Sequence, residues 1–250
     1  MDERYSRNIL IKDFGEKGQR KLGDSSVLVI GAGGLGSPAL FYLAAAGVGT
    51  IGIVDNDTVN ISNLQRQIIH RTSDIGREKT LSAFEKLSAL NPEVKIIVYN
   101  ELFTENNALK IINENRLINK TSGYDFVVDC CDNYKTKLLI NDVCVRIGKP
   151  YSHGAVLSTH GEVMTYIQGA ACYRCAFDNP PEDGKLPTSS EEGILGAVAG
   201  IVGSIQATEA IKYLIGMSDL ITNRILIIDA KTMNFFSLKV KTNDVCYAGH

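Results

Sequence analysis

Apolar and polar positions alternate along this chain with two periods. Short apolar runs at 26–30, 51–54, 94–99 and 125–129 read as strands, and 27–30 has the unbroken apolar character of a parallel strand buried on both faces. Helical spacing between them predicts helices over 37–46, 77–90, 105–117 and 134–147. In 77–90, Leu81, Phe84, Leu87 and Leu90 recur on one helical stripe, and Asn91-Pro92 closes the segment. Such alternation predicts an α/β fold, a parallel sheet with helices on both faces. After Pro150 the pattern changes. Residues 153–168 and 224–240 read as antiparallel strands extending the sheet, with a glycine-rich helix over 194–215 between them. The polar, turn-rich segment 178–193 reads as a mobile crossover loop, because its composition buries little surface. Neither a repeat nor a linker is evident, so a single domain over 1–250 is expected.

Composition narrows the picture only modestly. The 250 residues are 44% hydrophobic and 22% charged with a net charge of −2, ordinary for a soluble globular protein and poorly suited to nucleic acid as main partner. The first residues, Met-Asp-Glu-Arg-Tyr-Ser-Arg, lack the apolar core of a secretion signal, so a cytoplasmic location is expected. Residues 194–208 carry no charge but fall short of the ~20 needed to cross a bilayer. A buried helix is the better reading, with Gly196, Gly200 and Gly203 allowing close packing, including at a subunit interface. The six cysteines read as thiols or metal ligands rather than disulfides.

Chemistry concentrates where the first strand ends. The run 27–30 flows into Gly31-x-Gly33-x-x-Gly36 and then into a helix, which permits a tight turn and a phosphate on the helix N-terminus. Asp55 closes the second apolar run, about 20 residues after the glycines, where a carboxylate can hold a ribose hydroxyl. The fold expected is therefore Rossmann-like, and a nucleotide binds there, either a dinucleotide or ATP. Asp55 and Asp132 follow strands and should border the crevice beyond the strand ends, with Arg66 and Lys79 reaching it from connecting segments. Two cations and an acidic pair suit a triphosphate with Mg²⁺ better than a nicotinamide. The Gly-x4-Gly-Lys-Ser/Thr pattern of P-loop ATPases is absent.

The ordered set of motifs resembles the MoeB/ThiF group of the ubiquitin-activating-enzyme superfamily over nearly the whole chain. It comprises Arg4-Tyr5-Ser6-Arg7-Asn8-Ile9, the glycine turn, Asp55-x-Asp57-x-Val59 running into Ser62-Asn63-Leu64-Gln65-Arg66-Gln67, and Gly76-Arg77-Glu78-Lys79. It continues with Asp129-Cys130-Cys131-Asp132-Asn133, Cys172-Tyr173-Arg174-Cys175 and Gly203-Ser204-Ile205-Gln206-Ala207-x-Glu209-Ala210-Ile211-Lys212. The resemblance implies an ATP-dependent adenylyltransferase that activates the C-terminal glycine, at the end of a Gly-Gly tail, of a ubiquitin-like sulfur-carrier protein. It places the nucleotide on Gly31, Gly33, Gly34, Gly36 and Asp55, its phosphates on Asn63, Arg66 and Lys79, and Mg²⁺ on Asp132. Arg7 would reach the ATP of the neighbouring subunit in a homodimer. Residues 1–150 would form the nucleotide-binding half, and 151–250 the carrier-binding and dimer half. Attack by a carboxylate needs no general base at neutral pH, so positioning and charge neutralisation carry the reaction.

Two departures qualify the resemblance. The stretch 186–193 has no cysteine, so a covalent enzyme–carrier link there is not expected. The family's structural zinc would fall to Cys172, Cys175 and Cys246, with Gly249 at the fourth cysteine position and His250 as the available replacement. Cys130 and Cys131 read as packed strand-end thiols, Cys144 as core, His70, His153 and His160 as structural, and Glu209–Lys212 as a surface pair. Three other functions compete: an adenylating relative acting on a peptide, tRNA base or small carboxylate, an NAD-dependent oxidoreductase, and a silent scaffold that binds a ubiquitin-like partner.

Overall fold

The apolar runs of the first half become β1 (Ser26–Ile30), β2 (Thr50–Val54), β3 (Lys95–Tyr99) and β4 (Phe126–Asp129), all parallel. In the computed structural model, which describes residues 3–114, 123–177, 189–243, 246 and 248, they join one eight-stranded sheet. The segments read as antiparallel each fold as a hairpin: β5 (Tyr151–Leu157) with β6 (His160–Tyr166), and β7 (Arg224–Asp229) with β8 (Asn234–Lys239). β5 pairs parallel with β4, so the change of direction comes at β6. The strand order is β3-β2-β1-β4-β5-β6-β7-β8. Order reverses between β1 and β4, and the crevice outside their carboxyl ends is where an open sheet binds its ligand.

Nine helices lie among the described residues: α1 (Ser6–Ile9), α2 (Gly15–Gly23), α3 (Gly36–Ala46), α4 (Lys79–Leu90), α5 (Ala108–Glu114), α6 (Tyr134–Arg146), α7 (Tyr173–Ala176), α8 (Ser189–Glu192) and α9 (Gly196–Ile215). Alternate residues of β1 serve two cores. Val27 and Val29 pack under α3, α4 and α9, while Leu28 and Ile30 pack under α5 and α6. Coverage on both faces explains why β1 reads as a continuous apolar run. No helix among the described residues is long and apolar enough to cross a membrane. Of the expected crossover loop, 178–188 lies outside the described residues.

One expectation is corrected, that of Glu209 as a surface residue, and two features of the helices were not anticipated. The N-terminal α1 and α2 had no pattern to announce them. α2 has glycines at 15, 18 and 23 and is held instead by burial of Leu22 and by Lys21, whose ammonium caps the Ile215 carbonyl at 3.0 Å. The apolar stripe of α4 largely faces outward: Leu87 is buried, but Leu81, Phe84 and Leu90 are 40–42% exposed. Its inner face is Lys79, Thr80, Ser82 and Ala83. Glu209 is no surface residue, being 2% exposed, because α9 crosses β6 at that point. Its carboxylate accepts from Thr165 Oγ1 at 2.8 Å, the Ile221 N–H at 2.6 Å and Lys212 Nζ at 2.7 Å, which makes burial tolerable.

Candidate active site

The turn after β1 is sterically closed to side chains at its first and last glycines. Gly31 has φ +101, and a Cβ there would stand 2.6 Å from the Cys130 carbonyl oxygen; a Cβ on Gly36 would stand 2.0 Å from the Gly31 oxygen. The chain therefore doubles back tightly and enters α3 at once. No described residue accepts a hydrogen bond from the Gly33 or Gly34 N–H. Free N–H groups ahead of an 11-residue helix form an anion site, reinforced by the helix dipole.

Asp55, at the end of β2, is turned to this loop: Oδ2 accepts the Ala32 N–H at 2.8 Å and Oδ1 the Asp57 N–H at 2.9 Å. Burial pushes its carboxyl pKa up, although the Lys79 charge and those two N–H groups oppose the rise. Lys79 opens α4 almost fully buried, 5% exposed, with Nζ 2.8 Å from Asp57 Oδ2. That partner is 63% exposed, so an incoming phosphate can take its place at little cost. Arg66 is half-buried, its guanidinium donating to the Ser62 carbonyl at 3.0 Å and its stem lying over Gly34. Asn63 is also half-buried and caps its own turn, accepting the Asn60 N–H at 2.9 Å. Beside Gly33 lies Gln67, 5% exposed, whose Oε1 is buried without a partner. An unsatisfied buried acceptor at an anion turn fits a ligand hydroxyl or water.

The glycine turn, Asp55, Arg66 and Lys79 thus lie close together, with Asn63 in the loop that carries Arg66. Asp132 lies at the end of the neighbouring strand, exposed in the turn after β4. Asn133 then caps α6 by accepting the Thr136 N–H at 2.9 Å. Arg7 is exposed on α1.

Beneath the Asp132 turn lies a charge network that sequence reasoning missed. Asp129 is wholly buried; its Oδ1 accepts the Cys131 N–H at 3.0 Å, and its Oδ2 meets Lys137 Nζ at 3.2 Å and His153 Nδ1 at 3.0 Å. The far ring nitrogen of His153 faces Glu162 Oε1 at 3.1 Å. Burial would raise the Asp129 pKa, but the Lys137 charge and the His153 contact outweigh it and hold the carboxyl below its ordinary value. A usable signal existed: Lys137, Ile140, Asn141 and Cys144 share one helical stripe, and a lysine there requires a buried counter-charge. Cys131 donates to the Ile30 carbonyl at 3.5 Å. Burial, then the Asp129 charge, raises its thiol pKa well above the ordinary value, which makes it a poor nucleophile. Cys130 and Cys144 are buried, as expected.

Away from the crevice, Cys172, Cys175 and Cys246 converge, with sulfurs 3.8 Å apart for Cys172–Cys175 and 3.6 Å for Cys172–Cys246. Zinc–sulfur bonds of about 2.3 Å at tetrahedral angles require sulfur separations of about 3.8 Å. The three thiols therefore fit a zinc ion. Burial pushes Cys172 up to about 12 as a free thiol, so a cation would be needed to hold it as thiolate. His250 and Gly249 lie outside the described residues.

A model of the ThiF family matches residues 5–248. The chain is 40% identical over 250 residues to the sulfur carrier protein adenylyltransferase of Thermus thermophilus, covering 98% of this chain and 89% of that protein. It is 42% identical over 239 residues to adenylyltransferase and sulfurtransferase MOCS3-1 of Zea mays, covering 95% of this chain and 49% of that one. The chain thus spans about half the length of the MOCS3 relatives it matches. The crystal structure of E. coli MccB with ATP superposes with a TM-score of 0.83 at 23% identity, over 100% of this chain and 74% of that one, a likeness of fold.

Proposed function

The chain belongs to the ThiF family, and on that footing we propose that it is an ATP-dependent adenylyltransferase activating the C-terminal glycine of a ubiquitin-like sulfur-carrier protein. The observation that carries this reading is the glycine turn, whose Gly33 and Gly34 N–H groups find no acceptor among the described residues, walled by the buried Lys79 and by Arg66 at the switch point of the sheet. The Thermus relative named for this activity is matched over 89% of its length, which supports the same conclusion.

ATP is bound on Gly31, Gly33, Gly34 and Gly36, with Asp55 at the ribose. Asn63, Arg66 and Lys79 hold the phosphates, Lys79 exchanging Asp57 for them. Asp132 would hold Mg²⁺, which when bound would supply charge neutralisation on the leaving phosphates. The carrier's terminal carboxylate oxygen bonds to the α-phosphorus, the bond from that phosphorus to the bridging oxygen breaks, and pyrophosphate leaves with the electron pair. No proton moves. The work of the protein is orientation and stabilisation of charge on the phosphate oxygens. With no cysteine in 186–193, the product leaves as an acyl-adenylate rather than an enzyme thioester.

Residues 1–150 serve the nucleotide, and 151–250 the carrier and the dimer. The outward apolar stripe of α4 and the exposed Leu10 and Ile11 near Arg7 support a homodimer in which Arg7 completes the partner's site. Cys172, Cys175 and Cys246, with His250 as fourth ligand, would hold a structural zinc. The protein acts in the cytoplasm. Exchange of labelled pyrophosphate into ATP, run with candidate carriers ending in Gly-Gly, tests the function. Carrier-dependent exchange is expected; tight NAD binding with no ATP binding in calorimetry would sink the reading.

A further inference from the structure

His70 belongs to no metal or catalytic spacing, yet it stands directly behind the glycine turn. Its Nε2 lies 2.9 Å from the Ala32 carbonyl oxygen and its Nδ1 2.8 Å from Ser82 Oγ. A carbonyl oxygen only accepts, so Nε2 carries the proton, and Nδ1 of the neutral ring accepts from the Ser82 hydroxyl. Ser82 Oγ in turn accepts from Lys86 Nζ at 2.8 Å, and Lys86 also pairs with the buried Asp74. Burial, helped by the charges of Lys79 and Lys86, lowers the His70 pKa against the pull of Asp74 and the Ala32 bond, which keeps the ring neutral.

The consequence lies in the next peptide. In a trans peptide the C=O and N–H point in opposite directions. With the Ala32 oxygen held against His70, the Gly33 N–H must point away from it, out of the core. That N–H finds no acceptor among the described residues. Ala32 is also held from its other side, its N–H on Asp55. Lys79 and Ser82 sit one turn apart on the inner face of α4, so one helix carries both the phosphate cation and the support of His70.

We infer that His70 is a positioning residue for phosphate binding: its Nε2–H fixes the Ala32–Gly33 peptide so that the Gly33 N–H meets a nucleotide phosphate. The inference rests on the glycine turn being a triphosphate site. Two substitutions separate this role from packing. Glutamine can place an amide N–H where Nε2 stands and keep the bond to Ala32. Asparagine is too short for that and retains only the Ser82 side.

Calorimetric titration with ATP and Mg²⁺, together with KM for ATP in pyrophosphate exchange, should show His70→Asn weakened by about tenfold or more, as for loss of one donor to a charged ligand. The kcat at saturating ATP should change less than threefold, and His70→Gln should bind within about threefold of wild type. ¹⁵N spectra of the wild-type ring should show protonated Nε2 and unprotonated Nδ1, a readout that survives if a variant fails to fold. Equal ATP affinity in both variants and the wild type, equal losses in both variants, or the opposite tautomer would overturn the inference. A wild-type protein that binds no ATP would overturn the nucleotide reading and this inference with it.

Discussion

Replacing Lys137 by methionine isolates the worth of the charge network under the Asp132 turn. Methionine keeps most of the apolar stem on the inner face of α6 and deletes the ammonium, which lies 3.2 Å from Asp129 Oδ2 and 2.6 Å from the Gly154 carbonyl. Lys137 is 5% exposed and Asp129 is fully buried, so water cannot replace the lost partner. With an effective dielectric constant of about 20, a pair at the separation of 3.2 Å interacts by roughly 5 kcal/mol. Experience with buried pairs broken on one side gives about 3–5 kcal/mol. The two figures agree, and for a chain of this size they correspond to a melting temperature lower by roughly 6–20 °C. Urea titration at unchanged m-value measures the loss directly. The double variant with Asp129→Asn should cost clearly less than the two single costs added, because the second substitution removes the charge that the first leaves stranded. A loss below about 1 kcal/mol, or strictly additive costs, would mean that Asp129 is stabilised by other means and would refute the argument.

Two further outcomes are expected. Protein purified without chelator should contain one zinc per chain by elemental analysis, and Cys175→Ser should lose the metal and lower the melting temperature; zinc well below one equivalent in the wild type would exclude the site. Inactive Arg7→Ala and Asp132→Ala proteins, once mixed and shown to exchange subunits, should regain activity from the one intact site of each mixed dimer, and no recovery would count against composite sites.

What was legible in the sequence was what is local. The end of β1, the turn and the start of α3 are consecutive, and glycines whose Cβ atoms would strike backbone 2.0 and 2.6 Å away announce themselves by their spacing alone. Asp55, Arg66 and Lys79 were readable because each follows a strand or turn in a recognisable motif, and the structure brings them to the turn's wall. The Asp129 network was not readable, since its members come from β4, α6, β5 and β6 and meet only when the sheet forms. The outward stripe of α4 has a related cause. Its inner face is needed by the site, where Lys79 contacts Asp57 and Ser82 supports His70, so the ordinary link between apolar and inward is reversed. Glu209 misled because its nearest sequence partner, Lys212, is itself partly exposed, whereas the Thr165 and Ile221 groups that bury it lie 44 and 12 residues away.

The glycine-rich helix shows why the C-terminal part of the chain cannot be considered apart from the nucleotide crevice. At Gly203 a Cβ would stand 2.2 Å from the Leu35 carbonyl oxygen, at the very entry of α3, and at Gly196 it would stand 2.4 Å from the Gln65 oxygen, in the loop that carries Arg66. Gly200 meets nothing within 4 Å, so the spacing of small residues serves contact inside the subunit at two of its three positions and leaves the third open. About one turn beyond Gly203, Gln206, fully buried, donates to the Asp129 carbonyl at 2.7 Å and the Ser152 carbonyl at 3.2 Å. One helix therefore braces the glycine turn, the Arg66 loop and the root of the Asp132 turn at once. A shift of α9 against the sheet would move three parts of the site together, because interiors packed this closely transmit displacement rather than absorb it. Physical coupling between α9 and the crevice is thus built into close glycine contacts and the buried Gln206 amide, which side-chain substitution on the surface cannot easily uncouple.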